Sequence, residues 1–316
     1  MSSSVSGTKA KAMRAATNLG LAMLAASWLG GTAVLAQEAQ RHFATPEEAV
    51  QALIQAVQDR DRPAIAALVG PEFSELVEGQ GSEANSEDRE RFLAAVKRAT
   101  VLRPDGDDRR ILEIGLAAWP MPAPLVHDAQ GWRFDGAEGV EAVKDRIVGR
   151  NELEAIRVLN AYVDAQVEYA SQDRDADKVL QYAQKLDSTP GKHDGLYWPV
   201  TGDEAASPFG PFLAAAGVHP ESREPATPYY GYLYRIMTRQ GPNAPGGAYD
   251  YVINDNMIAG FAMVAWPAQY GETGVMTFLV NQNGIVLERD MGPDTDRIGP
   301  DMLTYNPDAG WLPAED

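Results

Sequence analysis

The chain has 316 residues, no cysteine, and 45 Asp and Glu against 27 Lys and Arg, a formal charge of −18. Without cysteine it has no disulfide, no thiolate nucleophile and no thiol-linked lipid anchor. So acidic a surface repels nucleic-acid phosphates and anionic lipid headgroups, and neither is expected as a partner.

Residues 1–36 read as a secretory signal peptide. Lys9, Lys11 and Arg14 form a basic leader, Leu19 to Gly30 an apolar core, and Val34-Leu35-Ala36 a cleavage site of the small-x-small kind. The apolar core is too short to cross the ~30 Å hydrocarbon layer as a helix, so no stable membrane anchor is expected after cleavage. No Arg-Arg pair precedes it, which favours export of an unfolded chain. Losing the leader takes the formal charge to −21. The 280 residues that remain are ample for a core, and they divide into two domains, 43–135 and 136–316.

Thr45-Pro46-Glu47-Glu48 supplies a hydroxyl cap, a proline in the first turn and acids at the positive end of the dipole. Val50, Leu53, Ile54 and Val57 follow at helical spacing, predicting a helix over 46–59. A second short helix fits 63–68 and ends at Gly70-Pro71; a third runs from about 86 to 99. The period then changes. Residues 111–114 and Gly131 to Asp135 read as strands, with Pro-broken extended chain over 116–126. Helices followed by antiparallel strands resemble the α+β cone of nuclear-transport-factor-like and cystatin-like domains.

Residues 136–185 read as nearly continuous helix, with Leu153, Ile156, Leu159, Val163, Val167 and Ala170 on the core-facing stripe. A long Pro- and Gly-rich connection covers 192–228, and long connections carry function or wrap a core. Four strands follow, at about 230–238, 258–266, 274–280 and 284–289, with Asn283-Gly284 as a hairpin turn between the last two. Trp311 is expected to dock on the body. The expected fold class is α+β: an N-terminal cone-like domain, a long central helix, and a C-terminal antiparallel sheet packed on it.

No reactive constellation stands out. His42, His127, His193 and His219 are never three or four apart, so there is no helix-borne zinc site. Neither a Gly-x-Ser-x-Gly elbow nor a Ser-x-x-Lys set is present. Gly241 to Gly247 lacks the lysine and hydroxyl of a phosphate loop. Asp173-x-Asp175-x-Asp177 matches the first three oxygen positions of a calcium loop, but Lys178 takes the glycine position and Gln184 that of the bidentate glutamate. It reads as a solvated acidic loop, and neither metal nor cofactor is expected. The binding candidates are aromatic: Tyr197 and Trp198 in Gly195-Leu196-Tyr197-Trp198-Pro199, and Tyr230, Tyr232 and Tyr234, which strand alternation puts on one face. Core packing with the hydroxyls at the rim is the preferred reading of that face; stacking on sugar rings or a peptide is the alternative.

Several strings together carry a family resemblance: Gly149-Arg150-Asn151-Glu152, Ala165-Gln166 with Tyr169, Asp194-Gly195-Leu196-Tyr197-Trp198-Pro199, Ser207-Pro208-Phe209-Gly210-Pro211, Gln240-Gly241 with Ala244 to Ala248, and Gly271 to Phe278. Over Phe43 to Trp311 the chain resembles the exported bacterial proteins of domain-of-unknown-function family 2950 (DUF2950). That resemblance implies a periplasmic or envelope protein, with an extracellular location also open, and it transfers no catalytic residue. More weakly, the C-terminal half resembles the globular part of type IV pilins and pseudopilins. It departs from them in having its helix internal, not at a mature N-terminus. The expected function is a non-catalytic accessory or interaction module acting on another envelope protein. The alternative is a hydrolase or glycan binder in which Asp194 or Asp250 approaches Glu272 or Asp290.

Overall fold

Thr45 starts the first helix as its surroundings require. Its extended backbone (φ −132°, ψ 155°) brings the hydroxyl to the Glu48 N–H, Pro46 fills the first turn, and α1 runs Pro46–Asp59. The structure, a computed structural model, describes residues 40–78, 82–200, 206–215 and 227–315; the expected leader and His219 lie outside them. Asp61 caps α2 (Arg62–Val69) through the Ala64 N–H. The Gly70-Pro71 pair, expected only to end that helix, also begins another, α3 (Pro71–Glu78). Proline is as well suited to a first helical turn as it is unsuited to an interior one. α4 (Ser82–Arg98) completes the helical part.

Five short strands follow: β1 (Thr100–Pro104), β2 (Arg109–Ile114), β3 (Trp119–Pro120), β4 (Leu125–Asp128) and β5 (Gly131–Phe134). They pair antiparallel in the order β1-β2-β4-β5, with β3 on β2, and Phe43 bridges to Trp132 at the open edge. The sheet and helices bury Val50, Leu53, Leu68, Leu112, Leu125 and Phe134 in one core.

Asp135 caps α5 (Gly136–Tyr169), whose early residues Val140 and Val143 pack on that first core. The helix stops well short of Lys185. After Tyr169 the chain is polar, and the Asp173 carboxylate takes the N–H groups of Ala176 (2.8 Å) and Lys178 (2.9 Å), both in left-handed conformation. A side chain that bonds its own backbone in this way competes with helix continuation. The inner stripe also differs from the expected one. Ile156 and Leu159 are buried and Val163 packs on the second core as expected, but Leu153 and Val167 are 45 % and 60 % exposed, and Asn151, Ala155, Val158, Tyr162, Gln166 and Tyr169 are buried beside the stripe.

α6 (Gly210–Ala215) lies in the long connection. Then come β6 (Tyr232–Met237), β7 (Arg239–Gln240), β8 (Tyr249–Asp250), β9 (Val252–Ile253), β10 (Asn256–Met257), β11 (Ala262–Pro267), β12 (Met276–Asn281), β13 (Leu287–Asp290), α7 (Thr295–Ile298) with a 3-10 turn at Gly299–Asp301, and β14 (Leu312–Pro313). The main sheet runs β14-β13-β12-β11-β6, antiparallel throughout. All six residues of β11 are buried. Such a run needs cover on both faces: α5 lies on one, with Tyr162 Oη donating to Ala262 O (3.2 Å), and the Gly299 turn lies against Trp266 on the other. The β12–β13 turn closes by Gly284 N donating to Asn281 O (2.9 Å), with left-handed Gly284. Trp311 packs against the second core. The fold is α+β, and Gln40–Asp316 forms one unit holding two separate hydrophobic cores.

Candidate functional site

The five aromatic candidates do not form one exposed platform. Trp198 and Tyr232 are 3 % and 0 % exposed and belong to the second core; Tyr197, Tyr230 and Tyr234 are half-buried against it. Tyr232 lies over Gly274 and donates its hydroxyl to Met276 O (2.8 Å). Burial first, then the Glu152 charge, raises its phenol far above the usual range, so it stays a neutral donor. Tyr230 falls out of the strand alternation, because it sits in a turn with φ 47°. Trp198 stacks on His193 (4.3 Å between centroids), and the Arg174 guanidinium lies 5.4 Å from its ring.

The polar members of the family strings converge on the chain's own backbone. Asn151 Nδ2 donates to Thr273 O (2.9 Å), and Glu152 Oε1 accepts from Val275 N and Met276 N (both 2.9 Å). One turn of α5 thereby holds the loop that leads into β12. Gln166, fully buried, clamps Ala183 from both sides: Nε2 donates to its carbonyl and Oε1 accepts from its N–H, each at 2.8 Å. Gln240 does the same for the glycine-rich loop, donating to Pro245 O and Gly247 O (2.7 Å each) while accepting from Tyr251 Oη (3.0 Å). These are the contacts that irregular, buried backbone needs in place of strand partners.

The carboxylates named for the hydrolase alternative are engaged elsewhere. Asp194 holds Lys185 (2.7 Å) and Thr189, Glu272 faces Lys144 (3.4 Å), Asp290 accepts from Tyr270 Oη (3.0 Å), and Asp250 is exposed on β8. A different acid pair, distant in sequence, comes together instead. Glu288 on β13 is half-buried and feels Glu152 from α5 and Glu315 beyond β14; desolvation, then the Glu152 charge, raises its carboxyl above the ordinary value. No spacing rule links a helix residue to a strand that far along the chain, so only the folded register exposes the pair.

Glu288 and Asp194 titrate in opposite senses. A raised folded-state carboxyl contributes stability in full below its unfolded value, and that contribution is lost as pH rises through the folded value. Glu288→Gln therefore flattens the decline in stability between the ordinary carboxylate range and neutrality. At Asp194 burial opposes ionisation, but the Lys185 ammonium and the Thr189 N–H and hydroxyl outweigh it and hold the carboxyl at about 2. Its contribution is full above the unfolded value of about 4 and is lost as pH falls from there toward the folded one. Asp194→Asn lowers stability at neutral pH and removes that acid-side loss. Denaturant midpoints of both variants across pH check the two signs.

Asp173, Asp175 and Asp177 do approach one another, with carboxylate oxygens within 4.8 Å. Each also takes donors from the chain: Asp173 the amides above, Asp175 the Gln181 amide (2.8 Å), Asp177 the Val179 N–H (2.7 Å) and Asn256 (3.0 Å). The loop is thus stapled to β10 by its own acids. Among the described residues no helix is long and apolar enough to cross a membrane.

Two cores on a shared helix, with buried amides clamping the loops, define an α+β fold. Its sequence matches the family described as "Protein of unknown function (DUF2950)" over residues 40–313, and the chain belongs to that family. No curated protein and no solved structure matches it.

Proposed function

We propose that this is an exported periplasmic accessory module that acts by contact with another envelope protein and performs no reaction of its own. One observation carries the reading: Asn151, Glu152, Gln166 and Gln240 each hydrogen-bond this chain's own backbone, so they build the scaffold. Export is supported by the leader over 1–36, and the acidic surface favours a protein partner over nucleic acid or anionic lipid. In this reading the C-terminal half is a pilin-like sheet on a helix and the N-terminal part a cone-like domain. The helix is internal, so assembly through a helical stem is not part of the proposal. The half-exposed rings of Tyr197, Tyr230 and Tyr234 are its contact candidates; Trp198 and Tyr232 support them from the core.

A second reading has its own observation. The carboxyl of Glu288, raised by burial and then by the Glu152 charge, is the kind of group that hydrolases use as an acid. The two separate cleanly. The mature protein is tested on a panel of glycan, ester and peptide substrates, and by affinity capture from periplasmic extract. The proposal expects no turnover that depends on Glu288, and a defined partner lost from a folded Tyr197→Ala/Tyr230→Ala variant. Hydrolysis abolished by Glu288→Gln with the fold intact would establish the second reading.

A further inference from the structure

The face of the main sheet opposite α5 contains two buried polar groups that no described residue satisfies. Trp266 on β11 is 4 % exposed and Thr277 on β12 is 0 % exposed; among the described residues neither Trp266 Nε1 nor Thr277 Oγ1 has a hydrogen-bond partner. They are neighbours. The β11–β12 register pairs Ala265 with Phe278, and continuing it by one residue sets Trp266 opposite Thr277. Facing residues of adjacent strands share one side of the sheet, with Cβ atoms about 5 Å apart.

The groups around them are already committed. Arg235, whose guanidinium lies 5.8 Å from the Trp266 ring, donates to Pro300 O. Arg289, paired with Thr277 in register, turns to Asp308 (3.0 Å). The buried Thr295 hydroxyl goes to Gly292 O (2.6 Å). Gly299 rests against the indole so closely that a Cβ would run into the ring.

An indole N–H can only donate, whereas a threonine hydroxyl both donates and accepts. Buried polar groups without partners are rare in native proteins, and those that protein atoms do not satisfy are commonly bridged by an internal water. We infer that a single water molecule is bound between Trp266 Nε1 and Thr277 Oγ1 beneath the Gly299 turn. It accepts from the indole and hydrogen-bonds the hydroxyl, joining β11 to β12 through their side chains on a face where the direct contact is not made.

The test is water-selective NMR on mature protein with isotope-labelled indoles, the Trp266 resonance being assigned by its disappearance in Trp266→Phe. The inference expects a long-lived water cross-peak at the Trp266 indole proton in wild type and in Thr277→Ser. It expects loss of that peak in Thr277→Val, which keeps the shape and lacks the hydroxyl. A wild-type indole with no water cross-peak overturns the inference, and so does a peak that survives unchanged in Thr277→Val. Should Thr277→Val fail to fold, the wild-type spectrum alone decides.

Discussion

Replacing Gln166 by Leu lowers stability by about 2–6 kcal/mol, because it leaves both the N–H and the carbonyl of Ala183 buried without partners, at about 1–3 kcal/mol each. Leucine keeps much of the apolar volume, so the loss reports the amide clamp and not a cavity. The clamp matters because Ala183 lies in irregular chain that has left α5 and not yet joined the sheet. Gln166 supplies both of its hydrogen bonds from a fully buried position, and shares Nε2 with the Tyr162 hydroxyl (3.0 Å). Urea denaturation of the mature protein measures the change. A loss under about 1 kcal/mol would mean that Ala183 finds other partners and that the clamp is incidental.

The second large effect falls on an aromatic residue. Tyr232→Ala removes a fully buried ring packed beside Phe278 (5.7 Å between centroids) and costs about 3–5 kcal/mol as a core truncation. Tyr232→Phe costs about 1 kcal/mol, the net value of the hydrogen bond to Met276 O. Tyr197→Ala, at a half-buried position, costs less than Tyr232→Ala. Thermal or chemical denaturation of the three variants distinguishes a core tyrosine from a binding ring. A Tyr232→Ala protein of wild-type stability that had lost a ligand would reverse the assignment.

Much of the fold was legible because strong local chemistry governs it. Thr45-Pro46 fixes the start of α1, and the apolar run Ala262–Pro267 falls on the strand expected at about 258–266. The inner face of α5 was legible at Ile156, Leu159 and Val163 and not beyond them. Hydrophobic periodicity favours Leu153 and Val167, yet the helix turns Asn151, Gln166, Tyr162 and Tyr169 inward. Asn151, Gln166 and Tyr169 meet loop backbone there and Tyr162 the Ala262 carbonyl of β11, and a hydrophobicity pattern carries no record of such partners. Strands β7 to β10, two residues each, are too short to show any period. Glu152 and Glu288 meet only through the register of β12 and β13 on α5. The aromatic strings were visible at once, but alternation alone could not say that Tyr230 would sit in a left-handed turn and leave the row.

The most direct test of the scaffold account is a stability scan of the polar residues in the family strings: Asn151→Ala, Glu152→Ala, Gln166→Leu and Gln240→Leu, each followed by urea unfolding at neutral pH. Residues that hold loops in place make every substitution destabilising, by about 1 kcal/mol or more per lost buried partner. Residues maintained for chemistry or ligand binding are often neutral to stability, or costly to it. Four variants as stable as wild type would contradict the account and return those side chains to the search for a reactive site.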